Sequence, residues 1–369
     1  MAAPEVADLD TLRAQLDQVD AELVALAARR QEIVSTIGRL KQGVGRQVRD
    51  FRRERQVLDH VRRRAGETGL DPDLAEDLLK RLIDASLARQ EQERGQRSAR
   101  GRGQQALVIG GAGRLGGWLA DFLDNQGFNV CLADPLLADE PGQGRYRDWR
   151  SAPSSLDLTV IACPIAASAE IIEALAERRQ AGLVLEVASV KSGLIDTLRR
   201  AAAQGLNICA LHPMFGPDTR LLAGRNVLLM DVGCAGAVQG ARALFDDTMA
   251  ELHEIDIEHH DRLMALVLGL SHALNIAFFS ALADSGLPAA ELNAAASTTF
   301  ARQLAVARNV AAENPKLYFE IQSLNRHGQW SRQLLADALA SLSGAVDQDR
   351  PEAFAEAMVQ GRRYLEELG

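Results

Sequence analysis

Between residues 8 and 40, apolar side chains recur at helical spacing: Leu9, Leu12, Leu16, Val19, Leu23, Leu26, Ile33, Ile37 and Leu40. The stretch has no proline and Gly38 is its only glycine. So long a helix with no internal stop belongs to a coiled coil or an intertwined bundle. Gly43 and Gly45 break the pattern. A second helix is expected from about residue 50 to 65, a turn at GETGLDP, and a third helix from Pro72 to about Gln92. ERGQRSARGRGQQ then reads as a polar, glycine-containing linker over 93–105.

Beyond the linker the period changes. ALVIGG, FNVCLADP, LDLTVIACP, GLVLEVASV, LNICALHP and NVLLMDV are short apolar runs, several of them separated by helical stretches such as 114–125. Strands alternating with helices predict a mostly parallel, doubly wound sheet. Strand signals stop near Glu258, and the rest reads as helix. The expected order is therefore an all-helical domain over 1–92, a linker over 93–105, a Rossmann-type α/β domain over 106–257, and an all-helical C-terminal domain over 258–369.

Composition narrows the class. A chain of 369 residues with 47% apolar content suits two or three domains with real cores, built mainly from Leu, Val, Ile and Ala because only 4% is aromatic. Cys131, Cys163, Cys209 and Cys234 are scattered without a CxxC pair, which points to reduced thiols and to neither a disulfide frame nor a zinc site. The start carries acidic residues and no apolar core of a signal peptide, and no run approaches the ~18 residues of a membrane span. A cytoplasmic protein is expected, with no membrane partner and no metal.

Charge raises a sharper question. Arg46 to Arg64 holds eight arginines in a chain of net charge −9. They could serve nucleic acid, a small doubly negative ligand, or a solvated helix face. Up to Arg100 there are 19 basic and 18 acidic residues, and the remainder holds 22 and 32. Phe51 is the one aromatic before Trp118. Neither the charge balance nor the aromatic content fits a nucleic-acid surface.

GGAGRLGGW follows the first strand and opens a helix, so Gly111, Gly113 and Gly116 sit where glycines let backbone approach a pyrophosphate at a helix N-terminus, with Arg114 and Leu115 between them. Asp134 ends the next strand about 20 residues on, placed to accept from a ribose 2′-hydroxyl and to repel a 2′-phosphate. The expected cofactor is NAD. Further strand ends offer Cys163 and Pro164, then Ser189 and Lys191 in EVASVKSG, then His212 in ALHPMFGPD. A histidine near neutral pKa beside a nicotinamide suits the acceptor of a hydroxyl proton, and a neighbouring hydroxyl can fix its tautomer.

GGAGRLGGW, ASVKSG and LHPMFGPD together resemble prephenate dehydrogenase, as do HHDRLM and FARQLAVARNVAAENPKLY in the helical tail. The first ninety residues resemble the all-helical chorismate mutase fused to it. Nearly the whole chain is thus similar to the bifunctional chorismate mutase–prephenate dehydrogenases of tyrosine biosynthesis. The resemblance implies a homodimer acting on chorismate and prephenate, with His212 as base, Ser189 hydrogen-bonded to it, Arg302 on a substrate carboxylate, and His260 and His272 at the substrate. It implies a mutase site of Arg13, Arg30, Lys41, Asp50, Arg53, Glu54, Ser86 and Gln90.

The mutase step is a unimolecular rearrangement of a dicarboxylate, which calls for positioning and charge stabilisation at the ether oxygen. Arginine forks suit the carboxylates; by the resemblance Arg53 joins the clamp, while Arg49, Arg52, Arg55 and Arg62 to Arg64 are left solvated or paired with Glu54, Asp59 and Glu67. Helix geometry agrees for most of the set. Arg30 and Lys41 lie about 20° apart around the axis and ~16 Å along it. Ser86 and Gln90 are one turn apart on one face. Arg13 lies ~25 Å from Arg30 on another face, so it could reach only a partner chain's site. Two rival readings stand: a β-hydroxyacid-type dehydrogenase, for which Lys316 after Asn-Pro is poorly placed as catalytic lysine, and a helical module that only dimerises; arogenate in place of prephenate is a narrower alternative.

Overall fold

The first apolar stripe forms one helix, α1 (Val6–Gly43). The computed structural model describes residues 6–43, 51–98 and 100–367. α2 (Phe51–Thr68) packs along α3 (Pro72–Ser98), and α1 packs against α3 through its C-terminal third. Gly69, at φ +77°, turns the chain between α2 and α3. The arginine run is partly structural. Arg62 pairs with Asp73 at 2.7 Å and Glu76 at 2.5 Å on α3, and Arg64 with Glu67 at 3.0 Å. In contrast Leu9, Leu12, Leu16, Val19, Leu23 and Leu26 are each at least half exposed.

The first six residues of the expected linker are helix. α3 continues through Ser98, because Gln, Arg and Glu favour helix and the extra turns have partners. Glu93 accepts from Ser35 Oγ at 3.0 Å and Arg89 Nε at 3.0 Å. Gly95 passes so close to Asn125 that a Cβ would lie 2.6 Å from its side-chain nitrogen. Arg94 and Arg100 pair with Asp247 at 3.4 and 2.6 Å. The first domain is therefore docked on the second.

The α/β domain runs β1 (Gln105–Ile109), α4 (Arg114–Asn125), β2 (Asn129–Ala133), β3 (Arg145–Tyr146), β4 (Leu158–Ile161), α5 (Ile165–Glu177), β5 (Leu183–Glu186), α6 (Ile195–Ala203), β6 (Ile208–Pro213), β7 (Asn226–Met230), α7 (Ala235–Ala243) and β8 (Glu251–Glu254). Sheet order is β3-β2-β1-β4-β5-β6-β7-β8, all parallel except that β7 runs antiparallel to β6. One apolar layer, including Ile172, Leu175 and Leu198, covers one face, and another, including Leu119, Leu123 and Phe245, covers the other. The winding reverses between β1 and β4, where doubly wound sheets open a ligand crevice at the strands' C-terminal ends.

The C-terminal domain starts with α8 (Ile257–Met264), a π-turn over Ala265–Leu270, and α9 (Ser271–Asp284), followed by α10 (Ala289–Ala294), α11 (Thr298–Ala311), α12 (Pro315–Leu324), α13 (Gly328–Asp347) and α14 (Pro351–Glu367). Together α8, the π-turn and α9 make a 28-residue helix of mean hydropathy 1.8 in its most apolar window. By length and composition it could cross a membrane, contrary to the expectation that no run approaches that length. Isolated polar residues such as Ser271 and Asn275 hardly lower the average. In this fold its first turns carry His260 and Asp261 into a buried polar site, and α11 and α13 pack on the rest.

Candidate active sites

The nucleotide loop fits a dinucleotide. Gly110 leaves β1 at φ +90°, with a virtual Cβ 2.4 Å from the Ala162 carbonyl, so only glycine turns the chain there. A Cβ on Gly116 would sit 2.1 Å from the Gly110 carbonyl oxygen, so its absence lets α4 close on β1. Gly111 and Gly113 lie in the turn, Arg114 and Leu115 open α4, and unpaired N–H groups at that end favour an anion. Asp134, just past β2, accepts from Ala112 N at 3.3 Å and Leu136 N at 2.9 Å, which holds its carboxylate beside the glycine loop. Cys163, its thiol pushed up to about 12 by burial and then by Asp134 and Glu186, and Pro164 close the neighbouring β4 end.

Three strand spacings along the same edge, about 14 Å from β1, His212 lies at the end of β6, 5% exposed. Its Nδ1 lies 3.0 Å from His260 Nε2, and His260 Nδ1 lies 2.7 Å from Asp261 Oδ1. Only one tautomer set satisfies both contacts with neutral rings. His260 Nδ1–H donates to the carboxylate, His212 Nδ1–H donates to His260 Nε2, and the lone pair on His212 Nε2 is left for a ligand. The expected Ser189–His212 hydrogen bond is absent among the described residues, since His260 takes the Nδ1 position; Ser189 is half-buried on the adjacent β5 loop.

Asp261 anchors the chain. It accepts from Lys191 N at 2.9 Å, Ser192 N at 2.6 Å and the Ser192 hydroxyl. Burial alone would raise its carboxyl, but hydrogen bonds from His260, Ser192 and the Lys191 amide outweigh it and hold it low. Burial, then His260 and Lys191, drives His212 well below the ordinary 6.5 against the opposing pull of Asp261. Lys191 is fully buried, its Nζ 2.6 Å from Glu186 and 3.0 Å from the Leu211 carbonyl, so it braces β6 one residue before His212. Neither the relay nor this brace was anticipated. The adjacent His-His-Asp at a helix start was the available signal.

The other expected substrate residues divide. His272 on α9 stacks on Tyr318 at 4.0 Å between ring centroids, and its buried Nδ1 has no partner among the described residues, as suits a ligand contact. Arg302 is exposed on α11 with no ion pair among the described residues. The next residue, Gln303, donates to Asn275 Oδ1 at 2.9 Å, tying α11 to α9.

In the helical domain, α1 and α3 bring three expected residues together. Arg30 Nη1 donates to Ser86 Oγ at 3.0 Å and the Leu82 carbonyl at 3.1 Å, and burial lowers the pKa of Arg30. Gln90 donates to the Val34 carbonyl at 2.9 Å, across a point where Gly38 leaves room for it. Glu54 is half-buried on α2. Arg13 stands apart, exposed and 3.3 Å from Asp10. Asp50 lies outside the described residues, as do the side chains of Lys41 and Arg53. A cleft of roughly 1430 Å³ lies elsewhere, between α3, α4 and the 216–225 loop, and is lined by Trp118, Phe122 and Arg220 among others but not by His212.

Comparisons with known proteins align with this geometry. Residues 12–91 match the family model "Chorismate mutase type II". Residues 144–253 match "Prephenate dehydrogenase, nucleotide-binding domain", and 256–360 match "Prephenate dehydrogenase, dimerization domain". The glycine loop and Asp134 precede the second match and rest on the geometry above. The T-protein of Enterobacter agglomerans is 30% identical over 86% of this chain and 82% of its own. The 4-amino-4-deoxyprephenate dehydrogenase of Streptomyces pristinaespiralis is 30% identical over 72% of this chain and 92% of its own. Among solved structures, prephenate dehydrogenase from Aquifex aeolicus, in complex with hydroxyphenyl propionate and NAD+, aligns with a TM-score of 0.58 at 18% identity, over 72% of this chain and 98% of that one.

Proposed function

The chain belongs to the bifunctional chorismate mutase–prephenate dehydrogenase family, rearranging chorismate to prephenate and oxidising prephenate with NAD, and we propose that its residues divide the work as follows. Arg30, Lys41 and Arg53 hold the carboxylates of chorismate in a compact conformer, and Gln90 donates near the ether oxygen as charge develops there. Asp50, Glu54 and Ser86 complete the pocket. In the ligand-free geometry Ser86 and the Leu82 carbonyl keep the Arg30 fork at the α1–α3 seam, so little reorganisation precedes binding. Arg13 comes from a second copy in a homodimer, a reading supported by its isolation from Arg30 and the bare apolar stripe around it.

In the dehydrogenase half, Gly111, Gly113 and Gly116 and the opening of α4 hold the pyrophosphate, and Asp134 accepts from the ribose. NAD, when bound, takes up the hydride from C4 of prephenate. His212 Nε2 accepts the 4-hydroxyl proton, and the electron pair of the breaking C–CO₂ bond restores the aromatic ring. Arg302 binds a carboxylate, and His272 supplies a polar contact. His260 is assigned to orienting the base instead of to binding substrate. Ser189 stays at the rim, within the pocket but not on the base. The four free cysteines suit the cytoplasm.

The observation that carries the dehydrogenase assignment is the buried His212–His260–Asp261 chain at the C-terminal edge of the nucleotide sheet. The test is NADH formation with purified prephenate and with arogenate, each with NAD and with NADP. His212→Asn should lower dehydrogenase kcat by about 10²–10⁴ while mutase turnover persists. Wild-type-like turnover would remove His212 from the mechanism.

A further inference from the structure

Glu91 lies next to Gln90 on α3 but faces the other way. Gln90 reaches α1 across the mutase seam, whereas the Glu91 carboxylate crosses to the α/β domain. One oxygen accepts from Leu222 N at 2.8 Å and the other from Met249 N at 2.6 Å. Leu222 closes the segment that leaves β6 directly after His212 and Pro213. The same segment is held to α4, where Trp118 Nε1 donates to the Thr219 carbonyl at 2.8 Å and Arg114 pairs with Asp218 at 2.8 Å. Arg114 is the first residue of α4, at the pyrophosphate end. One loop thus touches the base strand, the nucleotide helix and the mutase helix, and among the described residues the mutase helix hydrogen-bonds it through the Glu91 carboxylate.

We propose that Glu91 is a positioning residue of the dehydrogenase reaction supplied by the mutase domain: by holding the Leu222 and Met249 amides it sets the 214–225 loop against the Arg114 end of the nucleotide site. A glutamine offers one acceptor where two amides need one each, and turns an N–H₂ toward the other donor. Glutamine thus keeps at most one of the two bonds and alanine keeps neither, so the hold of α3 on the 222 and 249 segments weakens while α4, β6 and the His212 relay keep their own contacts. The effect falls on cofactor affinity and spares the chemical step.

The inference rests on the nucleotide-site reading above, so Asp134→Ser runs beside it. Glu91→Gln and Glu91→Ala should raise both the NAD Kd by titration calorimetry and the NAD KM about tenfold, the size of one lost buried hydrogen bond. Dehydrogenase kcat should stay within about threefold, a split expected when uniform binding is lost. Glu91→Asp, with its shorter reach, should fall between. In ligand-free protein, hydrogen exchange at Leu222 and Met249 should quicken while the His212 strand stays protected. Mutase activity in the same samples reports folding. Unchanged Kd with faster exchange, or parallel loss of both activities with a lower Tm, would reduce Glu91 to a structural anchor and overturn the proposal. If Asp134→Ser also leaves cofactor binding and the NAD to NADP preference unaltered, the nucleotide-site reading is what fails.

Discussion

The imidazole of His212 is useful only while neutral, and its surroundings keep it neutral. Burial comes first, with His260 and Lys191 adding to it. The acid limb of dehydrogenase activity should therefore lie below the ordinary histidine value of 6.5. Asp261 is the opposing influence and also the group that sets the tautomers. Asp261→Asn should move the acid limb to still lower pH. It should also cut kcat by about 10- to 10⁴-fold, the upper end being what loss of the tautomer-setting carboxylate costs in Ser-His-Asp triads. A pH–rate profile of the variant checks both, and an unshifted limb with full kcat would dissolve the relay. Stability follows the same sign. Below about pH 6.5 the unfolded chain takes up a proton that folded His212 refuses, so folding stability declines as pH drops.

At the scale of elements, the glycines carry the most pointed prediction. Gly116→Ala places a methyl group 2.1 Å from the Gly110 carbonyl, and neither backbone can yield without parting α4 from β1. Overpacking of this kind costs about 1–3 kcal/mol, and here it distorts the pyrophosphate turn, so NAD affinity should collapse while mutase activity remains. Fluorescence titration with NAD, beside a thermal melt, measures the two effects apart. This loop was legible in the sequence because glycine spacing and a preceding apolar strand are local signals. The buried strands were legible for a similar reason, since parallel strands covered on both faces read as unbroken apolar runs. β3 and β8 were missed: Arg145–Tyr146 is two residues long, and Glu251–Glu254 is mostly polar and exposed at the sheet edge. The end of α3 was missed because its partners, Ser35, Asn125 and Asp247, lie at least 30 residues away. The His212–His260 contact spans 48 residues and was illegible for the same reason, and the family resemblance supplied Ser189 as the partner instead.

At the scale of the whole molecule, the α1 stripe is one of the apolar surfaces that the single chain's own packing leaves bare, beside others on the C-terminal helices such as Leu339, Val346 and Leu365. Seven large apolar residues of α1 from Leu9 to Leu26 stand at least half exposed, and full burial of each is worth about 1.5–3 kcal/mol. Arg13 sits among them, paired only with an exposed Asp10 among the described residues, and far from the Arg30–Ser86 seam. A second α1 laid along this stripe would bury it and carry Arg13 to the other chain's pocket. If so, each mutase site combines Arg13 of one chain with Arg30 of its partner. Arg13→Ala and Arg30→Ala homodimers should then both be nearly inactive as mutases, since removing a charged partner of a ligand carboxylate costs about 2–5 kcal/mol. Refolding the two variants together gives about half heterodimers under two-fold symmetry, and each heterodimer has one doubly lesioned site and one intact site, so about a quarter of wild-type mutase activity should return. Dehydrogenase activity, which needs neither arginine, should hold steady across all samples and confirms folding. If native mass spectrometry shows the heterodimers and mutase activity stays at background, Arg13 does not cross between chains, and the apolar stripe must have another occupant.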